Sequence, residues 1–406
     1  MKILFILPYS PIPTNTGNKN LTFNLLKYLN QKSKVDILII EDLGNKKKYF
    51  NKNIKKAYPN VRKIFIFDRN KNIKLLVYKL FFLFQGLSPS LGNFYRIKIS
   101  NWLKLNSYKY DLIHFDMFHV SPYIKSVNNK PTLLVSSDAY SLAANLAFQN
   151  SDSYFSKLFL NFYKTLLSNI EKNYYKKFSK IVCVSNIDQK YLTNKLEIKN
   201  IISIGIPIAK SLNEKKIKHY QNILKNKSKP KLLITGNLNH PLISKNIVSF
   251  LKNILPIILK KYPFIQTIIL GKNPTIFLKS QINKSLNVKH VEFVEDYFDY
   301  LDNDWIYIYP QKCATGLQTK LQQALASGLP VIAYEVSFGG LDLTYKKNAL
   351  KVEHEKEFIK YIDKLITHPR LRVSLGKKAS KHINLNYSIE KIGKEYLETY
   401  KNILEN

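Results

Sequence analysis

Pro310-Gln-Lys-Cys-Ala-Thr-Gly-Leu-Gln-Thr-Lys-Leu-Gln-Gln-Ala-Leu-Ala-Ser-Gly-Leu-Pro-Val-Ile-Ala-Tyr334 reads as the end of a strand, a loop, a helix, a turn and the next strand. Thr315, with Gln318 three residues on, is a capping-box pattern for a helix beginning at Gly316, and Gly328 followed by Pro330 supplies the stop. At helical periodicity Gly316, Lys320, Gln323 and Ser327 fall on one small, polar stripe, and Leu317, Leu321, Ala324 and Leu325 form the apolar face beside it. A helix amino terminus carries unpaired N–H groups and the positive end of the dipole, and a glycine there lets an anion approach the backbone. Lys320 adds a full charge one turn on, so the arrangement suits a diphosphate. A plainer reading fits the same spacing: Thr315 caps a helix and Lys320 is a solvated surface lysine.

Outward from this segment, short apolar runs alternate with helical stretches. In the first half the strand-like runs are 3–7, 35–40, 63–67, 112–115, 132–135 and 181–184, with helices predicted over 21–30, 98–105 and 156–178. In the second half they are 231–235, 267–270, 291–294, 306–309 and 331–334. Continuous Ile, Val, Leu and Phe runs are what parallel strands buried on both faces require, and strand–helix alternation argues for doubly wound α/β sheets. The basic, polar stretch around KNKSKP divides the two series. The expected organisation is a Rossmann-like domain over 1–208, a linker over 209–230, a second Rossmann-like domain over 231–386 and a closing helix over 387–406. Two such domains would face each other across a central cleft, with the carboxyl ends of their strands lining it.

The composition agrees with a folded protein of two or three domains: 406 residues, 45% hydrophobic and 13% aromatic. Lys+Arg 64 against Asp+Glu 28 leaves a formal charge of +36, which attracts any polyanion without choosing among nucleic acid, an anionic membrane face and phosphorylated small molecules. Cys183 and Cys313 lie in apolar surroundings with no partner at metal-ligand spacing, and read as buried thiols of a reducing compartment. The opening MKILFILPYSP has too short an apolar run for a signal peptide, and the run at 75–87 is interrupted by Lys79 and too short to span a bilayer, so a cytoplasmic location is expected.

Read in order, the segments MKILFILPYSPIPTNTGNKNLTFNLLKYL, YDLIHFDMF, TLLVSSDAYSLAANL, EKNYYKKFSKIVCVSNIDQKYL, ITGNLNHP, ILGKNP, VEFVEDYFDYL, CATGLQTKLQQALASGLPVIAY and FGGLDL resemble the family-4-type glycosyltransferases of the GT-B fold. The resemblance runs through nearly the whole chain: the end, RLRVSLGKKASKHINLNYSIEKIGKEYLETYKNIL, resembles the family's closing helices, which implies that the helix over 387–406 crosses back to an acceptor-side first domain. It implies transfer of a sugar from a nucleotide diphosphate donor, held by the second domain, to a saccharide or lipid-linked acceptor held by the first. It also implies retention at the anomeric carbon, no cofactor and no metal, with a base and a helix dipole neutralising the departing diphosphate. By the same resemblance Asn237, Val294, Thr315, Gly316, Leu317, Gln318 and Gln323 line the donor, Lys320 stabilises the leaving group, and Asp138 stands nearest the reacting sugar. Many relatives carry two glutamates where this chain has Thr315 and Gln323, and a basic pair after the first strand of the second domain where it has Asn237. Gln323 forgoes a charge-assisted bond to the ribose, and the missing basic pair puts more weight on Lys320.

The remaining candidates each have two readings. Asp138 either acts on the acceptor hydroxyl or caps the helix predicted over 139–148. Gly17 and Asn18 form either a loop against phosphate or acceptor, or an ordinary turn. Tyr297 either lies by the nucleotide or is a packing aromatic, and Gly339-Gly340 either approaches the donor or makes a tight turn. His114 and His119 read as structural. Lys74, Lys79, Arg96 and Lys98 around the apolar-aromatic stretch 75–95 suit docking on an anionic inner leaflet, against the alternative of a buried helix with a solvated basic edge. No helix-turn-helix, RNA-binding or zinc signature occurs, so nucleic acid is not an expected partner. A GT-B-like sugar-nucleotide isomerase or a weakly active sugar-nucleotide binder is the competing function.

Overall fold

The computed structural model describes residues 1–14, 16–42, 47–69, 71–127, 129–151, 153–208, 214–225, 229–295, 297–301 and 304–405. It divides into two compact units, Met1–Pro207 with Ile389–Asn406, and Ile208–Ser388.

In the first unit, β1 (Lys2–Leu7), β2 (Lys34–Ile40), β3 (Lys63–Phe67), β4 (Leu112–Asp116), β5 (Thr132–Ser136), β6 (Lys180–Cys183) and β7 (Ile201–Ser203) form a sheet in the order β3-β2-β1-β4-β5-β6-β7. Every neighbouring pair is parallel. The crossovers hold α1 (Gly17–Lys32), α2 (Lys47–Ala57), α3 (Asn72–Phe84), α4 (Ile97–Asn106), α5 (Tyr140–Gln149), α6 (Tyr154–Tyr174) and α7 (Asn186–Leu196). The strand order reverses between β1 and β4, so the carboxyl ends of those two strands flank the crevice where open sheets of this kind bind ligands. The core beneath it is built from residues such as Leu4, Ile6, Leu38, Ile113, Phe115 and Leu134, all inaccessible to solvent.

The second unit contains α8 (Glu214–Leu224), β8 (Lys231–Thr235), α9 (Pro241–Asn253), α10 (Leu255–Lys261), β9 (Thr267–Leu270), α11 (Ile276–Lys284), β10 (Val288–Val291), α12 (Tyr297–Leu301), β11 (Trp305–Tyr309), α13 (Thr319–Ala326), β12 (Val331–Tyr334), β13 (Leu350–Val352), α14 (Glu355–Thr367) and α15 (Pro369–Asn386). Its strands run parallel in the order β10-β9-β8-β11-β12-β13, with the reversal between β8 and β11. Among the described residues one stretch, Pro241–Lys261, is long and apolar enough to cross a membrane, and half of it is buried. Ile247, Phe250, Leu251, Leu255 and Ile258 from that stretch enter the core of the unit. The last helix, α16 (Ile389–Glu405), belongs to the first unit, where it packs on α1 and buries Tyr396 and Tyr400. The Tyr400 hydroxyl lies 2.6 Å from His114 Nδ1.

Several expectations are corrected. The stretch expected to link the domains, 209–230, contains α8, whose Tyr220 and Ile223 are buried with Val373 of α15 and whose Tyr220 hydroxyl donates to the Gly328 carbonyl at 2.6 Å. Residues 209–213 and 226–228 of that stretch lie outside the described residues. The strand expected at 291–294 is instead β10 at Val288–Val291, because Val288 pairs with Thr267 and Val291 with Leu270. At the edge of the sheet β10 is at most half-buried, so the polar Lys289 and His290 are tolerated there, whereas the more apolar VEFV run leaves Phe293 exposed. Strands β7 and β13 were not expected, since three residues give too short a run to read. Gly17 and Asn18, expected in a loop, form the first turn of α1, whose cap Thr16 accepts the Lys19 N–H at 3.3 Å. Cys183 is buried but Cys313 is only half-buried.

Candidate functional site

In the second unit the crevice at the strand reversal is built from the ends of β8 and β11. Thr235 closes β8, buried, with its Oγ1 2.6 Å from the Tyr307 hydroxyl and 3.2 Å from that of Tyr297. Asn237 follows in an exposed turn and its carbonyl accepts from His240 N–H. Val294 lies half-buried beyond β10, ahead of α12. Past β11, Gln311 is buried, its Oε1 accepting from Asn246 Nδ2 at 3.0 Å and its carbonyl from Ser337 Oγ at 3.0 Å.

The loop into α13 departs from the expected cap. Gly316 takes φ +61°, a left-handed conformation that glycine adopts freely, so the chain turns there and the helix begins only at Thr319. Gln318, not Thr315, is the cap residue, and its side chain makes no capping bond. The two residues still meet: Gln318 Nε2 donates to the Thr315 carbonyl at 2.7 Å while Gln318 Oε1 accepts from the Tyr309 hydroxyl at 2.7 Å. Leu317 is buried, and a Cβ at Gly340 would come within 3.0 Å of its Cα and Cβ, so the Gly339-Gly340 segment packs directly against this turn. The apolar face is as expected, with Leu321, Ala324 and Leu325 inaccessible.

The polar stripe of α13 is the chemically unusual part. Lys320 keeps an exposed side chain, but its ammonium lies 3.6 Å from the centroid of the Tyr297 ring. Crowding at that end removes water from the charge and pulls its pKa down to about 8. Tyr297 is thus a packing aromatic whose packing partner is the charged end of Lys320. Three residues on, Gln323 is half-buried, and its Oε1 is buried with no donor from the protein. Ser327 Oγ, next on the stripe, is likewise buried without a protein partner. An amine of variable charge and two unmatched polar atoms therefore line one face, beside the left-handed turn at Gly316.

The first unit has its own cluster at the ends of β1 and β4. Asp116, buried, accepts from Thr22 Oγ1 at 2.7 Å, and burial pushes its carboxyl up to about 7 against the lowering effect of that bond. The Tyr9 hydroxyl donates to Met117 Sδ, and Asn18 Nδ2 approaches the same sulfur at 3.8 Å. Sequence reasoning missed Asp116. The signal was present, an acid ending the apolar run LIHFD at the carboxyl end of a central strand. Asp138 is half-buried after β5, and α5 takes Ala139 rather than Asp138 as its cap residue, so the capping reading of Asp138 is not realised. The Ala139 N–H instead donates to Asp188 Oδ1 at 2.9 Å. His114 and His119 are structural: burial pulls them down to about 3 and about 4, with His114 stacked on Phe5 and His119 against Phe94 and Phe118. Among the described residues no three His, Cys, Asp or Glu side chains converge as a metal-binding group.

Residues 229–368 match the family described as Glycosyl transferases group 1. No curated protein matches the chain by sequence. Among solved structures it is similar to sucrose-phosphate synthase from Thermosynechococcus elongatus, with 15% identity, TM-score 0.69 and 100% of both chains covered. It is similar to HepE of Anabaena in complex with UDP-glucose, with 13% identity, TM-score 0.63, and 99% of this chain and 100% of that one covered. A glycosyltransferase from Rickettsia africae matches at 16% identity and TM-score 0.64, over 100% of this chain and 99% of that one. The two parallel sheets are thus those of the GT-B fold, and the chain, through the Glycosyl transferases group 1 domain at 229–368, is a glycosyltransferase.

Proposed function

We propose that this enzyme moves a sugar from a nucleotide diphosphate donor to a saccharide or lipid-linked acceptor, with retention and without a metal, in the cytoplasmic synthesis of a bacterial surface polysaccharide. The observation that carries the reading is the face of α13, where a crowded Lys320 and a buried, unmatched Gln323 Oε1 follow the left-handed turn at Gly316. Cleavage of a sugar–diphosphate bond leaves negative charge on the diphosphate. An ammonium and helix-end N–H groups already in place stabilise that charge without reorganisation, which is where electrostatic catalysis has its largest effect. Gln323 Oε1 is available to accept from a ribose hydroxyl, and Gln311 and Thr315 supply further polar groups. In the first unit, Asp138 offers a carboxylate to orient the acceptor hydroxyl or to balance positive charge on the sugar ring. HepE, crystallised with UDP and with UDP-glucose, supports a nucleotide sugar as the donor class.

A panel of nucleotide sugars, incubated with and without a chelator, tests this by release of the nucleoside diphosphate. Turnover unaffected by chelator is expected. Lys320→Ala should lower it by about 10²–10³ with an unchanged melting temperature, and an unchanged rate would remove the assigned role. The replacement of a charged donor ligand by Gln323 favours one second reading, a sugar-nucleotide binder of weak activity. Tight donor binding with no transfer to any acceptor is the result that would select it.

A further inference from the structure

We infer that the first unit docks on an anionic lipid bilayer through two helices, α3 and the amino-terminal half of α6. The inference rests on exposed surface alone and does not depend on the sugar-transfer reading.

In α3, Ile73, Leu76, Val77, Leu80, Phe81 and Phe84 recur at helical spacing, and in an ordinary surface helix such a stripe would face the core. Here it faces outward. Ile73 is 79% and Phe84 87% exposed, and Phe82 is the buried residue of the helix, set edge-on against Tyr95 with ring centroids 5.4 Å apart. The alternative of a buried helix with a basic edge is therefore overturned. The second helix was not foreseen as exposed. Tyr154, Phe155, Leu158, Phe159 and Phe162 form the same kind of stripe on α6, with Phe155 81% exposed, while only the later part of that helix, from Leu166, enters the core.

Both helices leave the carboxyl ends of strands in one parallel sheet, α3 after β3 and α6, through α5, after β5. Asn169 Nδ2 of α6 donates to the Gly86 carbonyl just past α3 at 2.9 Å, which ties the two insertions together.

The charge around them selects the occupant. Residues 69–110 and 153–170 contain no Asp or Glu, while Lys74, Lys79, Arg96 and Lys98 accompany the first stripe and Lys157 and Lys164 the second; Lys71, at the start of α3, is ion-paired with Asp42. Ile73, Val77 and Ile97 share a surface hollow with Lys74, Arg96 and Lys98. Aromatic and aliphatic side chains flanked by lysines, with no acid within either segment, match an interface whose acyl boundary lies beneath anionic headgroups. A polar protein partner would leave these faces wet.

Sedimentation of the full chain with phosphatidylglycerol-containing vesicles and with pure phosphatidylcholine vesicles, over a salt series, tests the inference. Preferential binding to the anionic vesicles, weakening as salt rises, is expected. The double variants F81S/F84S and F155S/F159S should each reduce partitioning by about tenfold or more without changing the melting temperature, because the residues they alter touch little protein. K74E/K157E should reduce it chiefly at low salt. Equal binding to both vesicle types, or serine variants that bind like the native chain, overturns the inference. A concentration-dependent oligomer that the serine variants dissolve also overturns it, by assigning the faces to a second copy of the chain.

Discussion

Lys320 carries a charge that depends on pH in the range where enzymes are assayed. With its pKa drawn down to about 8 by crowding, the ammonium is present at neutral pH and is lost as pH rises through that value. If it neutralises a diphosphate, kcat/KM for the donor falls on the alkaline side with a midpoint near 8. Bound diphosphate favours the charged form, so the corresponding limb in kcat lies at higher pH. Lys320→Arg should abolish the kcat/KM limb, since guanidinium stays charged. Gln323 stands three residues along the same face, so Gln323→Glu places a carboxylate beside the ammonium and a charge-assisted acceptor beside the donor ribose. A severalfold fall in donor KM and an upward move of the alkaline limb are expected; a variant that changes neither would detach Gln323 from the donor. The Thr315–Gln318 spacing could be read from the sequence, but its meaning could not. The pair meets through the Thr315 carbonyl, because Gly316 turns left-handed and delays the helix to Thr319.

At the scale of elements, the Val-Ser-x-x-Asp turn after β6 has a purely structural explanation. Ser185 caps α7, accepting the Asp188 N–H at 3.1 Å and donating to the Asp188 carboxylate, which in turn accepts the Ala139 N–H at the start of α5. One buried carboxylate thus joins two helix starts on adjacent strands. Asp188→Ala strands a buried N–H and removes the bond between the elements, at a cost of about 1–3 kcal/mol visible as a lowered denaturation midpoint. Asp188→Asn should recover part of it. Stability unchanged in both variants would refute the account. The strands of both sheets were largely legible because buried parallel strands are apolar throughout. Those that escaped, β7, β13 and the true position of β10, are short or lie at sheet edges, where pairing register rather than composition decides the strand.

For the molecule as a whole, buried titratable groups set opposing dependences of stability on pH. Asp116 and Glu171 are pushed up to about 7 by burial, so above that pH the fold holds charges that cost it free energy. Between about 7 and the ordinary carboxylate range the folded state binds protons the unfolded chain lacks, and the cost fades as pH falls. His114, pulled down to about 3, acts oppositely: below its ordinary value the unfolded chain takes up a proton that the fold refuses. Asp116→Asn retains an acceptor for Thr22 and removes the charge. It should therefore stabilise the protein at pH 8, by up to a few kcal/mol, and by progressively less toward pH 5; a gain constant over that range would show that native Asp116 is ionised throughout it and that burial does not raise its pKa. By itself the sequence determined the two parallel sheets and the apolar face of α13, because burial on both faces and helical periodicity are written directly in residue order. Only the tertiary structure decided that Lys320 rests on Tyr297, that Asp116 is buried, and that the stripes of α3 and α6 face outward. Periodicity specifies which residues share a face, and what covers that face depends on neighbours distant in the chain.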